Sequence, residues 1–134
     1  MKIDGQCHCG RIAFEAEIDP GAVAICHCTD CQTLSGSAFR IVVPTGEENF
    51  RLLRGSPKTY ERIADSGNRR LQAFCAECGT PVYSTSVGPP PRNVVIRVGV
   101  LRQRAELPPK AQYWVHSAQG WVMNVDSVPK VESQ

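Results

Sequence analysis

Cys7-His8-Cys9-Gly10-Arg11-Ile12-Ala13-Phe14-Glu15-Ala16-Glu17-Ile18 carries two signals that decide the fold. In its second half, Ile12, Phe14, Ala16 and Ile18 fall on one side of an extended chain, and Ala13, Glu15 and Glu17 on the other. That period of two is the pattern of a half-buried β-strand. The first half sets two thiols two residues apart and ends them at a glycine. Both signals recur along the chain. Pro20-Gly21 predicts a turn, with residues 22–26 as the return strand. Residues 29–34 are the best helix candidate, capped by Thr29 or Asp30 and ended by Gly36. Residues 39–43 form a β-rich run stopped by Pro44. Residues 50–53, 58–63, 71–74 and 80–85 read as further short strands. The strongest strand signal covers 93–101, with Val94, Ile96, Val98 and Val100 on one face, and 121–125 reads as a last short strand. Pro89-Pro90-Pro91 and Pro108-Pro109 mark exposed connections. Many short strands separated by Gly and Pro predict an all-β domain over residues 1–128, followed by a frayed tail, 129–134.

The chain has 134 residues, enough for one core. Its 15 basic and 13 acidic residues nearly cancel, which gives no electrostatic case for nucleic acid as a partner. No stretch approaches the ~20 apolar residues that span a bilayer. Met1-Lys2-Ile3-Asp4-Gly5 leads to Cys7 with no apolar core segment of a signal peptide, so a cytoplasmic address and reduced thiols are expected.

Seven cysteines in such a chain require a role. Disulfides fail on the odd count, on compartment, and on geometry, because Cys7/Cys9 and Cys26/Cys28 at i, i+2 are poorly placed to bridge each other. Metal binding fits the spacing better. Cys75-Ala76-Glu77-Cys78-Gly79 is a zinc-knuckle pattern: two thiolates three residues apart grip one ion where the backbone turns sharply, and Gly79 permits the positive φ of that turn. Cys7 and Cys9 end at Gly10 in a similar way. Pairing these two glycine-terminated clusters makes a closed site of four thiolates that ties the N-terminus to the middle of the chain. Cys26, Cys28 and Cys31 then share a second ion with no obvious fourth protein ligand, the arrangement of a catalytic metal site. Spacing alone also allows Cys7, Cys9, Cys26 and Cys28 to close one site while Cys31 joins Cys75 and Cys78.

An ion on three thiolates has a defined chemistry. Zn²⁺ with three thiolates carries a net charge of −1, which weakens its power to acidify water and argues against hydrolysis. It can still take a substrate thiol as fourth ligand and hold it as the reactive thiolate, whereas a free thiol of pKa ~8.5 is mostly protonated at neutral pH.

The stretches GQCHCGRIAFE (5–15), CHCTDCQTLSGSAF (26–39), FCAECGTPVYS (74–84) and PPKAQYWVHSAQGW (108–121) resemble the glutathione-dependent formaldehyde-activating enzyme family, which includes centromere protein V-like proteins. The resemblance implies a zinc-stabilised β-tent of antiparallel strands. It implies a structural zinc on Cys7, Cys9, Cys75 and Cys78, and a catalytic zinc on Cys26, Cys28 and Cys31. It also implies a carbon–sulfur lyase that joins glutathione to formaldehyde as S-hydroxymethylglutathione, or runs the reverse step, with a small thiol such as glutathione as partner. A non-catalytic zinc module that binds a protein is the alternative; it requires both sites to be closed.

Other residues have narrower expectations. His8 and His27 adjoin cysteines, so their rings should point away from the metal. His116 is the only distant candidate for the open position, with partial burial near Trp114 and Trp121 as its ordinary role. Gln32, Ser35 and Gly36 either line a thiol pocket or cap the helix. Arg97, Arg102 and Arg104 are candidates for carboxylate recognition, against a simple role as solvated charges. Phe39, Tyr83 and Trp121 are expected in the core or a pocket wall. No Ser-His-Asp order, phosphate loop or dinucleotide fingerprint is present.

Overall fold

A computed structural model describes residues 1–134. The chain runs β1 (Lys2–Gln6), β2 (Ala13–Glu17), β3 (Ala24–Cys26), α1 (Thr29–Ser35), β4 (Arg40–Gly46), β5 (Phe50–Arg54), β6 (Lys58–Ile63), β7 (Arg69–Phe74), β8 (Pro81–Ser86), β9 (Asn93–Arg97) and β10 (Ala111–Tyr113). Short 3₁₀ turns join several of these. The strands form a three-stranded sheet, β1-β2-β5, and a seven-stranded sheet, β10-β3-β4-β9-β8-β7-β6. The protein is therefore all-β with one short helix. One pairing departs from the antiparallel expectation: β10 runs parallel to β3.

The half-buried strand at residues 13–17 forms as its alternation requires, with Phe14 and Ala16 buried and Glu17 exposed. Phe14 stacks on Phe50 at 5.2 Å, and Phe50 packs on Tyr83 at 4.8 Å, which joins the small sheet to the large one. Ile3, Phe14 and Ala16 of the small sheet and Val43, Val82, Val94 and Ile96 of the large one belong to a single core cluster. Gly5 is required where β1 meets this core. A Cβ there would lie 2.7 Å from both the Phe14 ring and the Val100 carbonyl oxygen.

Four expectations are corrected. Residues 24–26 do not return along β2; β3 pairs with β4 in the other sheet, because Pro20-Gly21 opens a 3₁₀ turn rather than a hairpin. Pro44 does not end its strand. It pairs with Val95 beyond the residues of β4 that β3 covers, where β4 has a partner on one side only and a missing N–H costs no ladder bond. The strand at 93–101 stops at Arg97 and turns through Val98–Val100. Residues 121–125 form turns, not a strand: their amides bond locally (Val122 to Gln119, Asn124 to Trp121), and no neighbouring strand accepts them. The sequence reading missed β1, whose pattern is thinned by Gly5, and β10, only three residues long.

The large sheet has two chemically different faces. Val43 lies opposite Ile96 on the face toward the core. On the other face, cross-strand register sets Arg40 opposite Cys26, Arg97 opposite Val42, Gln72 opposite Ser84, and Arg62 opposite Arg70. Directly opposed residues point to the same side of an antiparallel pair. One face of the sheet is thus apolar, and the other carries arginines beside a cysteine.

Candidate metal centres

The structure sorts the seven cysteines into two groups. The sulfurs of Cys7, Cys9, Cys75 and Cys78 all lie within 4.8 Å of one another, as do those of Cys26, Cys28 and Cys31. Of the two partitions that spacing permits, the chain adopts the one that joins the glycine-terminated clusters.

In the four-cysteine group, Cys7 Sγ lies 3.6 Å from Cys9 Sγ, and Cys9 Sγ lies 3.7 Å from Cys75 Sγ. These separations are far too long for disulfides, which are ~2.05 Å. They match the edge of a tetrahedron with metal–sulfur bonds of ~2.3 Å, about 3.8 Å. The two arms are built alike. The Cys7 amide donates to the Ile12 carbonyl and the Cys75 amide to the Thr80 carbonyl, both at 3.0 Å. Gly10 and Gly79 turn each arm with φ of 78° and 74°. The Ile12 amide donates to Cys7 Sγ at 3.3 Å. Thr80 was not singled out in the sequence, yet its hydroxyl accepts from the His8 amide at 3.1 Å, which leaves its proton for Cys78 Sγ, also 3.1 Å away. That contact holds the Cys78 thiol down at about 5. The donor set fits a closed thiolate site for zinc, or for iron. Cys7 and Cys75 are buried, while Cys9 and Cys78 face outward.

The three-cysteine group sits at the start of α1. Cys28, rather than Thr29 or Asp30, is the N-cap: its sulfur accepts from the Cys31 amide at 3.3 Å. Gly36 ends the helix in the left-handed conformation, φ 64°. Cys26 is pushed down to about 5, first by the hydrogen bond from the Cys31 thiol, with the Arg40 charge adding to it. Cys31 is pushed up by the same contact and by burial. No fourth His, Cys, Asp or Glu joins this group. It therefore offers a metal three soft donors and leaves a position for an outside ligand.

The histidines stand apart. The buried His27 ring bonds Gln112 Oε1 through Nε2 at 2.7 Å and meets Phe39 edge-on at 5.6 Å. His8 is exposed. His116 is exposed rather than partly buried, its ring 5.3 Å from Trp114, and Trp121 is exposed rather than packed in a wall. The Gln32 amide donates to the carbonyls of His27 (2.7 Å) and Ser117 (2.9 Å) and accepts from Gln119 (2.7 Å), so it clamps the helix to the C-terminal segment. Ser35 donates to the Gln32 and Phe39 carbonyls, a capping role, and it also lines a hollow of about 350 Å³ beside Phe39 and Arg40. Of the three arginines singled out, only Arg97 lies on the face that carries Cys26. Arg102 pairs with Asp4, and Arg104 donates to the Leu101 carbonyl.

Sequence reading missed Arg40, Gln72, Arg62 and Arg70. Arg40 and Arg97 are both buried and share Gln72 Oε1, at 3.5 and 2.7 Å. Burial lowers the Arg40 guanidinium, and the three cysteine charges oppose that effect. Burial and the neighbouring Arg40 push Arg97 down to about 9. Arg62 bonds Asp30 of α1 at 2.6 Å, and Arg70 donates to Ser84 at 3.2 Å. The sequence signal was present but weak: Arg40 interrupts an apolar run, and only the register shows that it stands against Cys26.

Over residues 2–117 the chain matches a family described as glutathione-dependent formaldehyde-activating enzyme. No curated protein matches it significantly. Its fold resembles the crystal structure of a Rhodobacter sphaeroides protein, with a TM-score of 0.63 at 20% identity over 81% of this chain and 98% of the other. That likeness concerns the fold alone, whereas the family match spans both cysteine groups. The chain belongs to the glutathione-dependent formaldehyde-activating enzyme family.

Proposed function

We propose that the protein is a zinc-dependent enzyme of the carbon–sulfur lyase type. It joins a small thiol such as glutathione to a small aldehyde such as formaldehyde, or separates the two. The observation that carries this reading is the group of three cysteines with no fourth protein ligand, set against buried arginines. Zinc bound to Cys26, Cys28 and Cys31 supplies a cation that holds a substrate sulfur as thiolate near neutral pH. The second ion, on Cys7, Cys9, Cys75 and Cys78, is structural.

The chain's own residues do the rest. Cys28 caps α1 and so fixes Cys31 one turn away from it. Arg40, opposite Cys26, offsets the negative charge gathered by three thiolates. In the reaction the substrate sulfur donates an electron pair to the aldehyde carbon. The carbonyl π electrons pass to oxygen, which takes up the proton that the thiol released on becoming a thiolate, and the product is a hydroxyalkyl thioether. No oxidant or reductant is needed. A closed, non-catalytic zinc module would need a fourth side chain at Cys26, Cys28 and Cys31, and none stands there.

Cys28→Ser tests the reading. Serine is itself a good N-cap, so the helix should survive. The expected outcome is loss of thiol–aldehyde turnover with one zinc retained per chain. In cobalt-substituted wild type, glutathione should change the thiolate-to-metal absorption band. Unchanged turnover in Cys28→Ser, or a band indifferent to every small thiol, would defeat the assignment.

A further inference from the structure

Trp114 is the one residue other than glycine whose backbone takes a positive φ, 58° with ψ 41°. For a bulky side chain this left-handed conformation is costly, and a fold retains it where the surroundings over-determine it, most often beside a functional site. The surroundings here are the three-cysteine group. β10 runs parallel to β3 with Tyr113 beside Cys26, at the ~4.8 Å spacing of neighbouring strands. The Tyr113 carbonyl accepts from the His27 amide at 3.0 Å. Further along, the Ser117 carbonyl accepts from Gln32 of α1 at 2.9 Å, and the same Gln32 amide bonds the His27 carbonyl. Trp114, Val115 and His116 therefore form an arch whose two ends are both tied to the segment that carries Cys26, Cys28 and Cys31. Between the ties the arch is open: Trp114 is 51% and Val115 61% exposed, and the indole meets the His116 ring at 5.3 Å. Trp114 has no place in the hydrophobic core cluster, so its strained conformation serves no core packing. No Asp, Glu, Lys or Arg occurs from Tyr113 to Ser117.

We propose that the Trp114 arch holds the aldehyde, and that the aldehyde taken in preference to formaldehyde is one with an uncharged apolar or aromatic group beside its carbonyl carbon. The proposal rests on the thiol–aldehyde reading of the cysteine group. In that reading the substrate thiol is held at Cys26, Cys28 and Cys31, whereas the aldehyde has no ligand there. It needs a surface close by if the two reactants are to meet at high effective concentration. Formaldehyde has no substituent for such a surface to grip. An indole face, a valine and an imidazole, with no carboxylate, ammonium or guanidinium among them, suit an apolar substituent through buried area and ring stacking. The bond changes are those given above: sulfur bonds to the carbonyl carbon, and the thiol's proton ends on the oxygen. Trp114 takes no part in them; it determines which aldehyde is positioned for attack.

The test uses the zinc-loaded full chain, glutathione as the thiol, and two aldehydes, formaldehyde and phenylacetaldehyde. Wild type should show the higher kcat/KM with phenylacetaldehyde. Trp114→Gly should lower the ratio of the two kcat/KM values by at least about tenfold, the scale of one lost aromatic contact with its buried area. Trp114→Phe, which keeps an aromatic face, should restore most of that ratio. An unchanged ratio in Trp114→Gly overturns the proposal. Glycine adopts the φ of 58° freely, so Trp114→Gly should melt no lower than wild type. A clear fall in Tm would mean that the ring holds the fold together, and would overturn the proposal as well. Binding is read without turnover. The two tryptophans, Trp114 and Trp121, give two indole Nε1–H signals in ¹⁵N–¹H spectra, and Trp114→Phe assigns them. Added 2-phenylethanol, which cannot react, should shift the Trp114 signal and leave that of Trp121 in place; an unmoved Trp114 signal overturns the arch. A shifted Trp114 signal with no turnover of either aldehyde supports the arch as the site of an apolar group and sinks the thiol–aldehyde reading instead. Turnover of formaldehyde with an unmoved Trp114 signal does the reverse.

Discussion

At the scale of single residues, two side chains outside the cysteine set have the largest predicted effects. Thr80 donates to Cys78 while accepting from His8, so it orients one sulfur of the four-cysteine group. Partners of this kind typically change metal affinity ~10–100-fold when removed. Thr80→Val should therefore lower zinc affinity at that group by about tenfold or more, measured by competition with a chromogenic chelator; an unchanged affinity would show that the contact is incidental. Arg97 has a pH signature. Burial pushes it down to about 9, so between that value and the ordinary, higher range of a guanidinium the native state holds fewer protons than the unfolded chain. The cost of burying its charge is fully present below pH 9 and is relieved as the pH rises through that window. The stability difference between wild type and Arg97→Gln should shift in favour of wild type on going from pH 8 to pH 10.5, roughly across the lower pKa. Denaturant unfolding at each pH reads the sign, and a flat difference would mean that Arg97 titrates normally.

At the scale of elements, β1 and α1 show how local chemistry serves the sites. β1 delivers the chain to Cys7, and Gly5 lets it lie against Phe14 and the Val100 carbonyl. Gly5→Ala puts a methyl group into both and should cost about 1–3 kcal/mol, as overpacking does. A lower denaturant midpoint with an unchanged slope is the expected result, and an unchanged midpoint would mean that β1 moves freely. α1 has only seven residues, too few for independent stability, so its place depends on what ties it down. Those ties are the Cys28 cap, the Gln32 clamp and the Asp30–Arg62 ion pair. They hold Cys28 and Cys31 over the arginine-bearing face.

For the whole molecule, the four-cysteine group acts as a long-range staple. It joins Cys7 and Cys9, at the end of β1, to Cys75 and Cys78, between β7 and β8, and so links the small sheet to the large one. Surface ion pairs such as Arg11–Glu77 across the two arms add little, about 0–1 kcal/mol. Metal binding at a site the unfolded chain lacks is itself folding free energy. Stripping zinc with a strong chelator under reducing conditions should lower Tm well below that of Cys28→Ser, and Cys75→Ser should behave like the stripped protein. If Cys75→Ser melted no lower than Cys28→Ser, the two groups would not divide into a structural and an open site.

Much was determined by the sequence itself. Period-two alternation marked residues 12–18 and the start of 93–101 as strands, and Gly36 marked the end of α1, because burial of one face and a left-handed cap are local properties. The glycine-terminated pairs at Cys7/Cys9 and Cys75/Cys78 were legible for the same reason. Other features depended on pairing between distant segments. Pro44 reads as a strand breaker until the open edge beside it is known, and residues 121–125 read as a strand until they are seen to lack a partner. Spacing left Cys31 free to join either group, and the path of β3 into the large sheet assigned it to Cys26 and Cys28. The buried arginines were the least legible feature, since a sequence shows that Arg40 and Arg97 are charged but not that they are buried. Register alone puts Arg40 against Cys26 and Arg97 beside it, because it depends on hydrogen bonds between strands far apart in the chain.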